Sequence, residues 1–158
     1  MRQRGFSLIE LMAVLVVAGI LVSVGMPAFG SLKRSLVQRQ AREEMRQRLR
    51  EARQVAVTRH NPVVVVFGNG VQTTDITDYT VHFDTNGDRI RQSTELITWY
   101  ELPKGSKLET SGFAPIDSLI FDISGALWPG TIGGRLFFSG ANTPDTLELS
   151  ATGMVFRP

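Results

Sequence analysis

The sequence predicts an α+β fold in which one long N-terminal helix, half membrane span and half amphipathic, packs against an antiparallel β-sheet head. Three observations carry this reading. An apolar run near the N-terminus is interrupted only by Glu10, apolar residues then recur at helical three- and four-residue steps, and beyond Asn61 the period changes to two. The 158 residues, 42% of them apolar, suit one globular domain with an appendage and no repeat array. The expected organisation is a leader at 1–5, a transmembrane helix half at 6–30, an amphipathic helix half at 31–60 and a β-rich globular head at 61–158.

The first element is the apolar one. Residues 11–24 carry no charge, and with 6–9 and 25–29 they give roughly 24 residues of membrane-spanning character. A cleaved secretory signal is the competing reading, since Arg2 and Arg4 resemble its positive n-region, but no small-x-small cleavage site precedes the charged stretch beyond Phe29. With Arg2 and Arg4 ahead of the span, the positive-inside rule leaves the N-terminus in the cytoplasm and sends the head outward.

The helix is expected to continue past the membrane. Leu32, Leu36, Ala41, Met45, Leu49, Ala52 and Ala56 define one apolar face, with Arg and Gln between them. Gly25, Pro27 and Gly30 lie at the junction, where Pro27 removes a backbone donor and is expected to kink or loosen the helix without ending it. Helical from 6 to 58, the segment would be on the order of 80 Å long at about 1.5 Å per residue, too long for a small head to cover. Its N-terminal half therefore needs other partners.

Seven short strands are expected in the head, at 63–67, 79–83, 95–100, 119–123, 135–139, 147–151 and 154–157. Asn86-Gly87, Pro103-Lys104-Gly105, Trp128-Pro129-Gly130 and 142–145 punctuate them as turns, supplying positive φ or fixing it near about −65°. Hairpins laid on the amphipathic helix half would bury both apolar faces. Trp99, Tyr100, Phe121, Trp128, Phe137 and Phe138 are expected to fill the core, with an exposed contact as the alternative for Trp128.

Charge divides the chain as sharply as hydropathy does. The net charge of +2 hides nine Lys/Arg against three Glu in 33–59, while the head from Asn61 has six Lys/Arg against eleven Asp/Glu. The absence of Cys excludes disulfides, thiolate metal sites and a Cys nucleophile. His60 and His82 are the only histidines, and no Gly-x-Ser-x-Gly or phosphate-cradling loop is present, so an enzyme is not expected. His82 alternates with Val81 and Phe83, which reads as a surface or half-buried side chain.

The segment richest in functional information is Arg4-Gly5-Phe6-Ser7-Leu8-Ile9-Glu10-Leu11 with the apolar run behind it. A carboxylate this far into a membrane helix costs about 2.5–3.5 kcal/mol on insertion scales, so it calls for a partner. Cutting after Gly5 would supply one, because the freed α-amino group of Phe6 is a cation able to reach Glu10 of a neighbouring helix. Glycine at that position leaves the scissile peptide unobstructed.

Gly5-Phe6-Ser7-Leu8-Ile9-Glu10 and the span resemble the class III signal of type IV pilins and type II secretion pseudopilins, a similarity covering 2–30 that includes Gly19 and Pro27. The resemblance implies cleavage between Gly5 and Phe6 by a membrane aspartyl prepilin peptidase, N-methylation of Phe6, and Glu10 as the assembly carboxylate. Phe121-Asp-Ile-Ser-Gly125, Gly130-Thr-Ile, Leu147-Glu-Leu-Ser and Gly153 resemble the GspH/FimT domain over roughly the last forty residues.

The resemblance implies a structural minor pseudopilin of a type II secretion pseudopilus. Its expected partners are other pseudopilin subunits, prepilin peptidase and the bacterial inner membrane, crossed once with the head periplasmic or extracellular. A FimT-like minor type IV pilin is the neighbouring alternative, and a monomeric membrane-anchored binding module is the alternative of another class. No cofactor, metal or small-molecule substrate is expected. Asp84, Asn86, Asp88 and Glu95, with Ile90, match positions of a calcium loop, but Arg89 stands where that loop wants glycine and Asn86-Gly87 alone explains a hairpin. DNA is disfavoured: the Gly-Arg-x-Arg tail thought to serve some FimT-like pilins is replaced after Gly153 by Met154, Val155 and Phe156, with Arg157 out of register.

Overall fold

The computed structural model describes residues 7–68, 74–86, 95, 97–112, 118–128, 133–139 and 144–156; the side chains of 24, 25, 27 and 28 are outside the description. The chain divides into two units, Met1–Lys33 and Arg34–Pro158. One helix, α1 (Leu8–Arg59), contributes to both. It starts where the sequence supplies a cap and continues through Pro27, so the proline does not end it. It stops at Arg59 because His60 adopts a left-handed φ of 52° and Asn61-Pro62 follows.

In the first unit the helix has no described side chain packed on it from another element, and its apolar residues are exposed, from Leu8 at 78% to Phe29 at 75%. In the second unit one face of α1 is buried. Ala41, Met45, Leu49, Ala52 and Ala56 join a single core with both sheets of the head. Leu32 and Leu36, expected to open this stripe, are instead exposed; the buried face begins at Gln38, whose amide donates to the carbonyl of Phe138.

Among the described residues the head forms eight strands in two four-stranded antiparallel sheets. These are β1 (Val63–Phe67), β2 (Asp78–Phe83), β3 (Ile97–Glu101), β4 (Lys107–Ser111), β5 (Ser118–Phe121), β6 (Gly133–Ser139), β7 (Asp145–Ser150) and β8 (Val155–Phe156). The first sheet runs β3-β2-β1-β5 and the second β4-β6-β7-β8. Alternation sends Val63, Val65, Phe67, Tyr79, Leu119 and Phe121 from the first sheet, and Leu108, Leu136, Phe138, Leu147 and Leu149 from the second, into the shared core. At about 1.5–3 kcal/mol for each large side chain fully buried, this core accounts for a head that closes on one helix face.

Sequence reading missed β4, because Lys107-Leu-Glu-Thr-Ser carries one apolar residue and its inner face is completed by Thr110. It also extended the fifth strand to Ile123. The chain leaves that sheet at Asp122, whose carboxylate accepts from the amides of Ser124 (2.8 Å) and Ala126 (3.0 Å) and folds a tight turn. Trp99, assigned to the core, is 57% exposed on the edge strand β3.

His82, read as surface or half-buried, is wholly buried on the other face of the first sheet with Val64 and Ile120. The signal was present in the uninterrupted Val63-Val64-Val65-Val66, which reads as a strand covered on both faces rather than one. The carboxylate of Glu95 lies in the same layer, 3.8 Å from His82 Nε2, and accepts from the Thr85 amide at 3.2 Å.

Candidate assembly surface

The N-terminal site is built on a reciprocal cap. Ser7 is the residue before α1; its amide donates to Glu10 Oε2 at 2.9 Å and its hydroxyl accepts from the Glu10 amide at 3.3 Å. This is the Ser-x-x-Glu capping box, a signal that the sequence contains and that the reading of Glu10 as a lone intramembrane carboxylate did not use. It sets the helix start at Leu8, directly after Ser7. Glu10 also sits in the first turn, where the helix dipole favours negative charge. Gly5 and Phe6, the expected cleavage and methylation residues, lie outside the described residues.

Beyond the cap, Leu11, Met12, Leu15, Val16 and Ile20 are each more than half exposed. Among the described residues no helix is long and apolar enough to cross a membrane. The described side chains of this run are those of Leu8 to Ser23, Met26 and Phe29 to Leu32, and the uncharged stretch of the sequence runs from Leu11 to Leu32. Pro27, the expected kink, lies within α1 with its side chain outside the description.

In the second unit the helix is held to the head by polar as well as apolar contacts. Arg42 is buried, donates to Asp145 on β7, and donates from Nη2 to Glu43 at 2.7 Å. The Asp145 hydrogen bond raises the pKa of the guanidinium, against desolvation that acts the other way. Removing one partner of such a pair strands the other, at a cost of about 3–5 kcal/mol when buried.

On one flank of the buried stripe Arg48 stacks on the Tyr100 ring at 4.6 Å and Tyr100 stacks on Tyr79 at 5.2 Å. Burial pushes the Tyr79 hydroxyl pKa up. On the other flank Arg53 Nε donates to the carbonyl of Gly125 at 2.8 Å. A Cβ at Gly125 would stand 2.9 Å from Val57, and one at Gly153 would run into the Gly125 carbonyl. These two glycines, which carried the resemblance in the head, therefore let the 122–126 turn and the 150–154 turn close against α1.

The calcium-like pattern is only partly in view: Asp84, Asn86 and Glu95 are described, while Asp88, Arg89 and Ile90 are outside the described residues. Glu95 turns inward toward His82. Among the described residues no group of three or more His, Cys, Asp or Glu is arranged to hold a metal ion.

A capped, uncovered apolar helix followed by a head closed on the same helix defines a pilin-like subunit. Residues 1–26 match the family described as the prokaryotic N-terminal methylation motif, and residues 41–153 match that described as type II transport protein GspH. The chain belongs to the GspH family. Two crystal structures of the type IV minor pilin FimU from Pseudomonas aeruginosa (strain PAO1) share the fold. One is 16% identical, with a TM-score of 0.59 over 80% of this chain and 90% of that one. The other crystal form is 15% identical, with a TM-score of 0.55 over 76% and 91%. No curated protein matches the chain in sequence. Together the motif, the domain and the fold identify a minor pseudopilin or pilin.

Proposed function

We propose that this chain is a structural minor pseudopilin of a type II secretion pseudopilus, anchored in the bacterial inner membrane with its N-terminus cytoplasmic. Prepilin peptidase cuts it after Gly5, Phe6 is N-methylated, and α1 stacks against the helices of other pseudopilin subunits. The observation that carries this reading is the bare apolar half of α1, which begins at the Ser7–Glu10 cap inside the stretch that matches the methylation motif. Full-length apolar character from Leu11 to Leu32 supports the anchor, since roughly 20 residues are needed to span a bilayer. The role is mechanical: extraction of the anchored helix and its stacking extend the filament and push secreted protein outward.

The assembly step rests on Glu10. In the separate subunit its carboxylate takes the Ser7 amide; in the filament it meets the Phe6 ammonium of a neighbour. Glu10→Ala should leave membrane level and cleavage after Gly5 intact while sharply reducing recovery with partner subunits, because a broken buried pair costs about 3–5 kcal/mol. Mass spectrometry of the membrane-extracted chain should find methylated Phe6 at the N-terminus. An intact Met1 in cells with active peptidase, or recovery of Glu10→Ala equal to the parent, overturns the reading.

A second reading, a FimT-like minor type IV pilin, draws on the two solved neighbours, both of which are type IV minor pilins. Deletion of the chain separates the two. Loss of type II secretion with pili intact supports the pseudopilin, and the reverse phenotype supports the pilin.

A further inference from the structure

The head carries one charge-inverted surface that the stacking of helices leaves unused. Arg46, Arg50, Arg53 and Val57 follow at steps of four, three and four residues, so they share one face of α1. Met154 and Phe156 of the C-terminal hairpin complete the wall of a groove of about 850 Å³ whose lining holds no carboxylate. The head as a whole has the opposite sign, with eleven Asp and Glu against six Lys and Arg from Asn61 onward. Val57, Met154 and Phe156 are all exposed.

The groove is preformed. Arg53 donates from Nε to the Gly125 carbonyl at 2.8 Å, and its Nη1 lies 3.8 Å from Met154 Sδ, so one side chain ties α1 to both turns of the wall. A Cβ on Gly125 or Gly153 would push that wall away from the helix. Arg46 is drawn toward Glu43 at 3.7 Å, whereas Arg50 is exposed and forms no ion pair among the described residues. A wall already fixed leaves little ordering to be done on binding, and that favours a specific contact.

Guanidinium donors set beside Met and Phe suit a carboxylate flanked by a large apolar side chain, the pairing of Arg with aromatic anchors that dominates protein interfaces. A phosphate polymer fits less well, because half of the wall is apolar and the surrounding head is acidic and repels it. A minor subunit is outnumbered in its filament, so its head meets subunits of another kind. We infer that the Arg46–Arg50–Arg53 groove docks an acidic ridge on the head of a different pilin-like subunit, with Met154 and Phe156 receiving the apolar side chain beside the carboxylate. The inference rests on the filament reading and holds for a pseudopilus and a pilus alike.

The test uses the full chain in its native membrane beside its partner subunits. The photo-cross-linking residue p-benzoylphenylalanine replaces Gln54, which is exposed in the groove, or Thr98, which is exposed on β3 outside it. Mass spectrometry of the joined peptides should show Gln54 linked to a different pilin-like subunit, at a segment where Asp or Glu adjoins a large apolar residue. Arg50→Glu should lower that yield at least about tenfold, and exchanging the captured carboxylate for Arg in the partner should restore it. Limited proteolysis of the detergent-extracted chain checks the fold of the variant, and Arg50→Gln, with a smaller drop expected, replaces it if the pattern changes. Linkage to a second copy, an exported protein, nucleic acid or phospholipid overturns the inference, as does a captured segment without a carboxylate. Equal capture of the same segment from Thr98, indifference to both Arg50 variants, or no product at all does so too. If Glu10→Ala is lost from the filament as expected while Gln54 captures nothing, the filament reading stands and the groove contact alone falls.

Discussion

The two halves of α1 follow one helical backbone but obtain their stability from different sources. From Arg34 onward the buried face, Ala41, Met45, Leu49, Ala52 and Ala56, is satisfied within the chain by two sheets, and Arg42 is fixed to Asp145. Before Lys33 the described apolar residues are exposed, and the fixtures there are local, among them the Ser7–Glu10 cap and the Ser23 hydroxyl donating to the Ile20 carbonyl at 2.8 Å. The covered half carries a folded head, and on the function proposed above lipid or other helices cover the bare half.

Truncation tests this contrast most severely. A fragment starting near Ser31 should fold cooperatively and stay in solution, with its first residues frayed because Leu32 and Leu36 touch no core. Far-ultraviolet circular dichroism and a denaturant transition report this, and a random-coil spectrum would break the division into halves.

The next largest effect comes from the same substitution placed in each half. In chemical denaturation of the head, Leu49→Ala should cost about 2–5 kcal/mol, since it opens a cavity in a packed core. Leu15→Ala in the full chain should leave the head's unfolding midpoint unchanged and weaken only association with partner helices. Equal destabilisation by both would remove the distinction.

The smallest effect is electrostatic and confined to the covered half. The carboxyl pKa of Glu43 is lowered chiefly by its hydrogen bond from Arg42, and that of Glu51 by hydrogen bonds from Gln47 and then Arg48. Groups whose pKa is depressed on folding add stability above their ordinary value of 4.5 and lose it as pH falls through the lowered value. Both side chains are about half exposed, so solvent screening keeps the contribution small. Denaturation midpoints of the fragment should be level from neutrality to about pH 5 and decline below it, with added salt flattening the decline. A rise in stability on acidification would show that these pairs do not bear on the fold.

Local pattern was enough to determine the helix and its length, the change to strands after Asn61, and the N-terminal methylation motif. Each depends on residues a few positions apart: the three- and four-residue recurrence, the two-residue alternation, and a carboxylate set into an apolar run. The Ser7–Glu10 cap was equally local and equally legible. What only the tertiary structure decided depends on residues far apart in sequence. Leu36 and Met45 read alike, yet only Met45 lies under the head. His82 is buried because β1 is covered on both faces, and Trp99 is exposed because β3 is an edge. Lys107-Leu-Glu-Thr-Ser becomes a strand because β6 is there to pair with it. Gly125 and Gly153 matter because the turns they occupy meet each other and close against the same side of α1. Periodicity shows which face of an element is apolar, but the side chains that cover that face are supplied by long-range packing.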